Sequence, residues 1–123
     1  MSKPRSRLID YASHTFRTVF GYTTELHFGK QAKHIADRHE HIAGRSVITI
    51  SVVALQALVE QKAGTGDRKG ANKEVVDFGV TIGFHVDSET GKQTSTTWGT
   101  IHYSKTGVHV VPTFPPPHHG ADR

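Results

Sequence analysis

A strict alternation of apolar and polar residues runs through Val76-Asp77-Phe78-Gly79-Val80-Thr81-Ile82-Gly83-Phe84-His85-Val86. Because successive side chains of a β-strand point to opposite faces, this period of two predicts one long strand with a buried face. The turn signal Ser88-Glu89-Thr90-Gly91 leads into a second strand, from Gln93 to Ser104, and Lys105-Thr106-Gly107 leads into a third, from Val108 to Phe114. The sequence therefore predicts three strands in an antiparallel meander.

Helices are predicted upstream of this meander. Between Arg5 and Phe20, apolar residues recur at helical spacing, and Gly21 offers a stop. Ser51 is a predicted N-cap for a helix that runs to Gly64. A short strand is predicted between Thr23 and Phe28, and a short helix or turn between Lys30 and Asp37. Helices followed by strands predict an α+β fold, in which N-terminal helices pack on the antiparallel β-meander.

Composition narrows the class of protein. The chain has 123 residues, enough for a single domain, and a net charge of +4 with ten histidines left neutral. This charge favours acidic partners such as nucleic acid. The absence of cysteine excludes disulfides, thiolate zinc sites and cysteine nucleophiles. No run approaches the roughly 18 apolar residues of a membrane helix, so we predict a soluble chain without a membrane span.

Strand register decides where the histidines lie. Pairing Val86 with Gln93 would place Asp77 opposite His102, where a carboxylate would raise the pKa of the imidazole. A two-residue turn at Lys105-Thr106 would set His109 beside His102, whereas a three-residue turn with Gly107 left-handed would move it beside Tyr103. The sequence leaves both turns open. The same face would carry Thr100 and Trp98, a hydroxyl and an aromatic platform that suit an RNA base.

Two basic, histidine-bearing parts of the chain resemble a family of bacterial polymorphic toxin domains, type 50, seen at the C-termini of contact-dependent and phage-associated effector proteins. The resemblance covers roughly Leu26 to Pro112 and is weaker from Ala36 to His41, where a glycine and an aromatic residue are missing. Its motifs are Gly29-Lys30-Gln31, Lys33-His34-Ile35, Gly44-Arg45-Ser46, Gly64-Thr65-Gly66 and Ile101-His102-Tyr103-Ser104, followed by Gly107, His109 and Pro112.

The resemblance implies the fold of the barnase, EndoU, colicin and RelE nucleases, with N-terminal helices before an antiparallel sheet. It also implies a metal-independent ribonuclease without a cofactor, and a cognate immunity protein that blocks it. Such a toxin is secreted or delivered as part of a larger effector and acts in the cytoplasm of the target cell. We expect residues 1–25 to be a helical lead-in, 26–114 the nuclease domain, and 115–123 a Pro/His-rich tail.

The hypothesis for the chemistry is an endoribonuclease that cleaves RNA, with tRNA favoured, by 2′-OH attack to a 2′,3′-cyclic phosphate. His34 and His102 are the expected acid and base, in an open order, and His109 is a third catalytic candidate. Lys30 and Arg45 would stabilise the charge that develops on phosphorus. The expected substrate contacts are Ser46, Thr100, Tyr103, Ser104 and Trp98, although Tyr103 is expected to pack inward with its hydroxyl at the rim.

Alternative functions follow from the same residues. A non-catalytic RNA-binding or phage-associated module would use the basic face without chemistry. A metal-dependent nuclease would use His34, His39 and His41, but these lack the HExxH spacing of a zincin, so no metal is expected. DNA cleavage is disfavoured, because DNA lacks the 2′-OH and usually needs a metal-activated water.

Overall fold

The computed structural model of the chain describes residues 16–35, 46–87 and 89–114. Nine strands and two helices occur among these residues. In chain order they are β1 (Thr18–Val19), β2 (Tyr22–Thr23), α1 (Phe28–Ala32), β3 (Val47–Ile48), α2 (Val52–Lys62), β4 (Asp67–Lys69), β5 (Lys73–Asp77), β6 (Gly83–Val86), β7 (Gln93–Thr96), β8 (Trp98–Ser104) and β9 (Gly107–Pro112).

The strands form antiparallel sheets with the orders β1-β2, β3-β6-β7 and β4-β5-β8-β9. The expected α+β fold of N-terminal helices packed on one β-meander is therefore wrong, and with it the barnase-like arrangement. Strands dominate the described residues, and the two helices are short. Where the first helix was expected to end, Phe20 (φ 55°) and Gly21 (φ 85°) form the turn of the β1-β2 hairpin. The rest of that expected helix, up to residue 15, lies outside the described residues.

The predicted helix after Ser51 is confirmed. Ser51 is the N-cap of α2, and its hydroxyl accepts a hydrogen bond from the Ala54 amide. Gly64 follows with a φ of 92°, a left-handed conformation that suits glycine beyond a helix end. Leu55 and Val59 of this helix are buried in the core.

The long alternating run is divided between two sheets. Phe78 and Ile82 donate their amides to the neighbouring carbonyls of Thr97 and Thr96, so residues 79–81 loop out between them. Gly79 makes this excursion with a φ of 81°, and Val80 at its tip is 51% exposed. The single strand predicted from 76 to 86 is therefore β5 and β6.

This division changes the register on one side only. The predicted pairing of Val86 with Gln93 is confirmed, but Asp77 pairs with Trp98. Lys73 is the residue opposite His102. The expected carboxylate beside His102 is therefore replaced by an amine.

The turn that the sequence left open has two residues. Ser104 pairs with Gly107 across Lys105 and Thr106, and His102 therefore lies directly opposite His109. No helix among the described residues is long and apolar enough to cross a membrane.

Candidate active site

Three histidine rings from two parts of the fold stack in parallel. His102 of β8 and His109 of β9 have ring centroids 4.6 Å apart and ring planes inclined by 9°. His34, just after α1, stacks on His109 from the other side, at 6.1 Å and 11°. The stack therefore has His109 at its centre, with His34 and His102 at its two ends.

A buried glutamine positions His34 against the sheet. The Gln31 side chain is fully buried, and its amide donates to the Val110 carbonyl at 3.0 Å and accepts from the Val110 amide at 2.7 Å. Val110 follows His109, and Gln31 precedes His34 by less than one helical turn. This pair of hydrogen bonds holds α1 on the edge of β9 and sets the distance between the two rings.

The tautomer of His34 follows from its other contact. Its Nδ1 lies 2.9 Å from the carbonyl oxygen of Ser46, and the side chain is 7% exposed. A carbonyl oxygen can only accept a hydrogen bond, so Nδ1 carries the proton. In the neutral ring the lone pair therefore lies on Nε2.

The electrostatics of the stack differ from the sequence expectation. Burial, the Lys73 amine and His34 lower the pKa of His102 below its ordinary 6.5. Burial lowers the pKa of His109 to about 4, with contributions from His102, His34, Lys30 and His27. Because burial and positive neighbours both disfavour the charged imidazole, the neutral form of both strand histidines is favoured at pH 7.

Of the two expected cationic residues, Lys30 and Arg45, only Lys30 lies in the part of the chain that the structure describes. Lys30, in α1, is exposed and close enough to act on the charge of His109. Arg45 lies outside the described residues. Lys73 was not selected from the sequence, because its position opposite His102 depends on the excursion at residues 79–81.

Trp98 and Thr100 share the face of the stack. Both are half-buried and alternate along β8 with the buried Gly99, Ile101 and Tyr103. Thr100 pairs with Val111 of β9, one pleat away from the His102 and His109 pair. This face therefore continues from the histidines toward the start of β8.

Two of the expected serine contacts take part in local structure. The Ser46 hydroxyl is buried and accepts from the Val86 amide at 3.0 Å, while its carbonyl holds His34. The Ser104 hydroxyl donates to the Gly107 carbonyl at 2.7 Å, across the turn.

Tyr103 lies on the opposite face of β8. It is 1% exposed, and its hydroxyl donates to Glu74 Oε1 at 2.6 Å. Burial, together with the hydrogen bond and the negative charge of Glu74, raises the pKa of Tyr103. The structure therefore separates Tyr103 from the histidine stack.

The glycine-rich segment serves that buried carboxylate. The amides of Gly64 and Gly66 donate to Glu74 at distances of 2.7 to 2.9 Å, and no part of Glu74 is exposed. A side chain at position 66 would collide with the Val75 backbone. The segment Gly64-Thr65-Gly66 therefore organises the fold around Glu74.

Gln31, which holds α1 and the following His34 against β9, was not among the residues selected from the sequence. It stood inside the motif Gly29-Lys30-Gln31, but an amide between charged residues was not recognised as buried. The described residues contain no cluster of three or more His, Asp or Glu side chains that could hold a metal ion.

A family model described as Bacterial toxin 50 matches residues 26–112. This range contains His34, His102, His109, Gln31 and Glu74. A search of the curated proteins found none that matches the chain.

Proposed function

The chain belongs to the Bacterial toxin 50 family, and we propose that it is a metal-independent endoribonuclease that cleaves RNA by 2′-OH attack. The observation that carries this proposal is the parallel stack of His34, His109 and His102. It supplies the two proton-transfer groups that the reaction needs and a third ring between them.

The geometry suits an in-line displacement. In this reaction the attacking 2′-oxygen and the leaving 5′-oxygen lie on opposite sides of phosphorus. A phosphate seated over His109 would have His102 on one side and His34 on the other. One end of the stack can then remove a proton while the other end supplies one.

The lowered pKa of His102 supports an assignment of the two ends. His102 has a lowered pKa and is deprotonated at neutral pH, so it acts as the base that takes the 2′-OH proton. His34 then acts as the acid, with its Nε2 proton passing to the leaving 5′-oxygen and its Nδ1 held by the Ser46 carbonyl. His109 and Lys30 face the phosphate, whose charge favours a protonated His109. Arg45 is expected to add a bidentate contact.

The biological setting extends the proposal beyond the chemistry. A toxin of this family would be delivered within a larger effector, act in the cytoplasm of a target cell, and be neutralised by an immunity protein. tRNA is the favoured substrate, since its single-stranded loops offer unstacked bases to Thr100 and Trp98.

The proposed nuclease domain comprises residues 26–114, with 115–123 as the proposed tail. The described part of the lead-in packs on the same core, because Val19 is buried and the Phe20 and Tyr103 rings lie 5.5 Å apart. In its described residues this lead-in is a hairpin, not the expected helix.

The test is to treat total RNA with the purified protein in the presence of a chelator and to map the cut ends. A 2′,3′-cyclic phosphate at a discrete tRNA position is expected, and its loss in His34→Ala or His102→Ala. Cleavage that stops in chelator and returns with zinc or magnesium would instead establish the metal-dependent alternative. Binding without cleavage, unchanged by either substitution, would establish the non-catalytic module.

A further inference from the structure

A row of basic side chains crosses the four-stranded sheet at the level of the histidines. Lys69 of β4 pairs with Lys73 of β5, Lys73 pairs with His102 of β8, and His102 pairs with His109 of β9. Directly paired residues of antiparallel strands point to the same face. Adjacent strands lie about 4.8 Å apart, so the row extends over about 15 Å from the histidine stack toward β4.

Within the described sheet, neither lysine has a carboxylate as its direct strand partner. Like charges placed opposite each other destabilise a sheet, and both lysines are exposed. The acidic residues of this face lie in other rows: Asp67, two residues before Lys69, pairs with Val75, and Asp77 pairs with Trp98 and accepts a hydrogen bond from Thr97. The face is therefore cationic along one row and acidic toward the start of β8.

We propose that Lys73 and Lys69 form phosphate subsites beside the cleaved phosphodiester, so that a single-stranded RNA crosses the sheet perpendicular to its strands. This inference rests on the proposed function for the position of the cleaved phosphate. A backbone that follows the row meets amines on successive strands, whereas a backbone that follows β8 would meet Asp77. The bases then lie toward Thr100.

The test is the affinity for a 2′-deoxy hexanucleotide, which has the backbone charge of RNA but cannot be cleaved by 2′-OH attack. Binding is measured by fluorescence anisotropy over a range of salt concentrations. The double variant Lys69→Gln/Lys73→Gln should bind at least 10-fold more weakly at low salt. Its plot of log affinity against log salt should be flatter than that of the wild type by about 1.4, since each phosphate contact of a single strand contributes about 0.7.

Lys92→Gln is the matched control, because Lys92 is an exposed lysine in the turn before β7 of the other sheet. It should leave both affinity and salt slope unchanged. Equal effects of the double variant and the control would overturn the proposal, as would a wild-type protein that does not bind the oligonucleotide. The measurement is independent of cleavage, so a protein that binds through the row but cuts no RNA would contradict the proposed function alone.

A single variant tests the subsite role of Lys69. Lys69 lies two strands away from His102, so Lys69→Gln should lower kcat/KM for an RNA hexanucleotide. For a dinucleotide, which has only the cleaved phosphate, kcat/KM should stay within about 2-fold of the wild-type value. Equal losses on both substrates would contradict a subsite role for Lys69.

Discussion

The two faces of the β5 and β8 pair differ in burial, although their residues are consecutive in each strand. On one face the exposed Lys73 lies opposite the half-buried His102, and neither residue has a carboxylate as its partner in that pairing. On the other face Glu74 and Tyr103, the next residues along each strand, are buried and joined by a hydrogen bond. The same backbone ladder supports both pairs.

The two faces differ in whether their polar groups find partners within the protein. Glu74 accepts hydrogen bonds from Gly64, Gly66 and Tyr103, so its oxygens are satisfied within the protein. The opposite face keeps imidazoles beside amines whose positive charge disfavours imidazole protonation, and a bound anion would offset that charge. The buried face therefore stabilises the fold, and the cationic face is suited to a ligand.

The sharpest separation of the two faces comes from neighbouring residues of β8. His102→Ala should reduce RNA cleavage by about 10²- to 10⁴-fold, because it removes the base, and should leave the thermal unfolding transition nearly unchanged. Tyr103→Phe should keep cleavage within about 2-fold but lower the free energy of unfolding by about 1.5–3 kcal/mol, since a hydrogen bond to a carboxylate is lost. If Tyr103→Phe lost activity without losing stability, the division between the faces would be wrong.

The second prediction uses neighbouring residues of β5. Glu74→Ala should lower the free energy of unfolding by about 2–4 kcal/mol, because the hydroxyl of Tyr103 and the amides of Gly64 and Gly66 lose their acceptor. Lys73→Gln should leave stability unchanged or slightly raised, since it removes the like charge opposite Lys69. Urea denaturation of both variants checks this. A larger loss in Lys73→Gln than in Glu74→Ala would contradict the assignment.

A third prediction compares two glutamines that make the same kind of contact. Gln56 binds the backbone of residues 24 and 26 through its side-chain amide, as Gln31 binds Val110. Gln31→Leu and Gln56→Leu should each cost about 1–3 kcal/mol of stability, because buried backbone groups lose their partners. Only Gln31→Leu should change the NMR titration of His109 and lower cleavage, by about 10- to 10²-fold, since it releases His34 from the stack. Equal effects on titration and cleavage would reduce Gln31 to a structural residue.

The smallest expected effects depend on pH. Protonation of His102 removes the base, so the acidic limb of the pH-rate profile should lie below pH 6.5. Lys73→Gln should move that limb to higher pH, because it removes a charge that lowers the pKa of His102. Stability should follow the same sign. The folded pKa of His109, about 4, lies below its unfolded value of 6.5, so protons favour the unfolded chain and stability is lost as pH falls from 6.5 toward 4. A pH-rate profile and a pH series of melting temperatures measure these shifts, and stability that rose over this interval would contradict the buried, neutral His109.

Local signals allowed part of this to be predicted. The Ser51 cap and the pairing of Val86 with Gln93 depend on neighbouring residues and were predicted correctly. The excursion at residues 79–81 was not, because it depends on two side chains, Phe78 and Ile82, packing over Gly99 from one sheet to the next. A Cβ on Gly99 would come within 3.0 Å of both. Alternation of apolar residues continues through that break, so the pattern gave no warning.

The candidate site divides in the same way. Residue types and the family pattern selected the three histidines, and the two-residue turn then placed two of them side by side. The stacking of His34 could not be foreseen, since it depends on Gln31, which contacts a residue 79 positions away. The role of Ser46 also differs from the expectation of a phosphate contact, because its backbone carbonyl is the group that holds His34.

The outer edge of β9 has a consequence for self-association. An edge strand ordinarily offers free amides and carbonyls to a strand of another molecule. Here the Val108 backbone is bonded to Glu25 and His27, the Val110 backbone is bonded to Gln31, and Pro112, at the next position of the same parity, has no amide to offer. Between Val108 and Pro112 the sheet therefore cannot recruit a strand from a second copy, even though the His109 side chain on the same strand is only half-buried. The same backbone contacts therefore protect this edge from amyloid-like assembly at the place where the chemistry is proposed to occur.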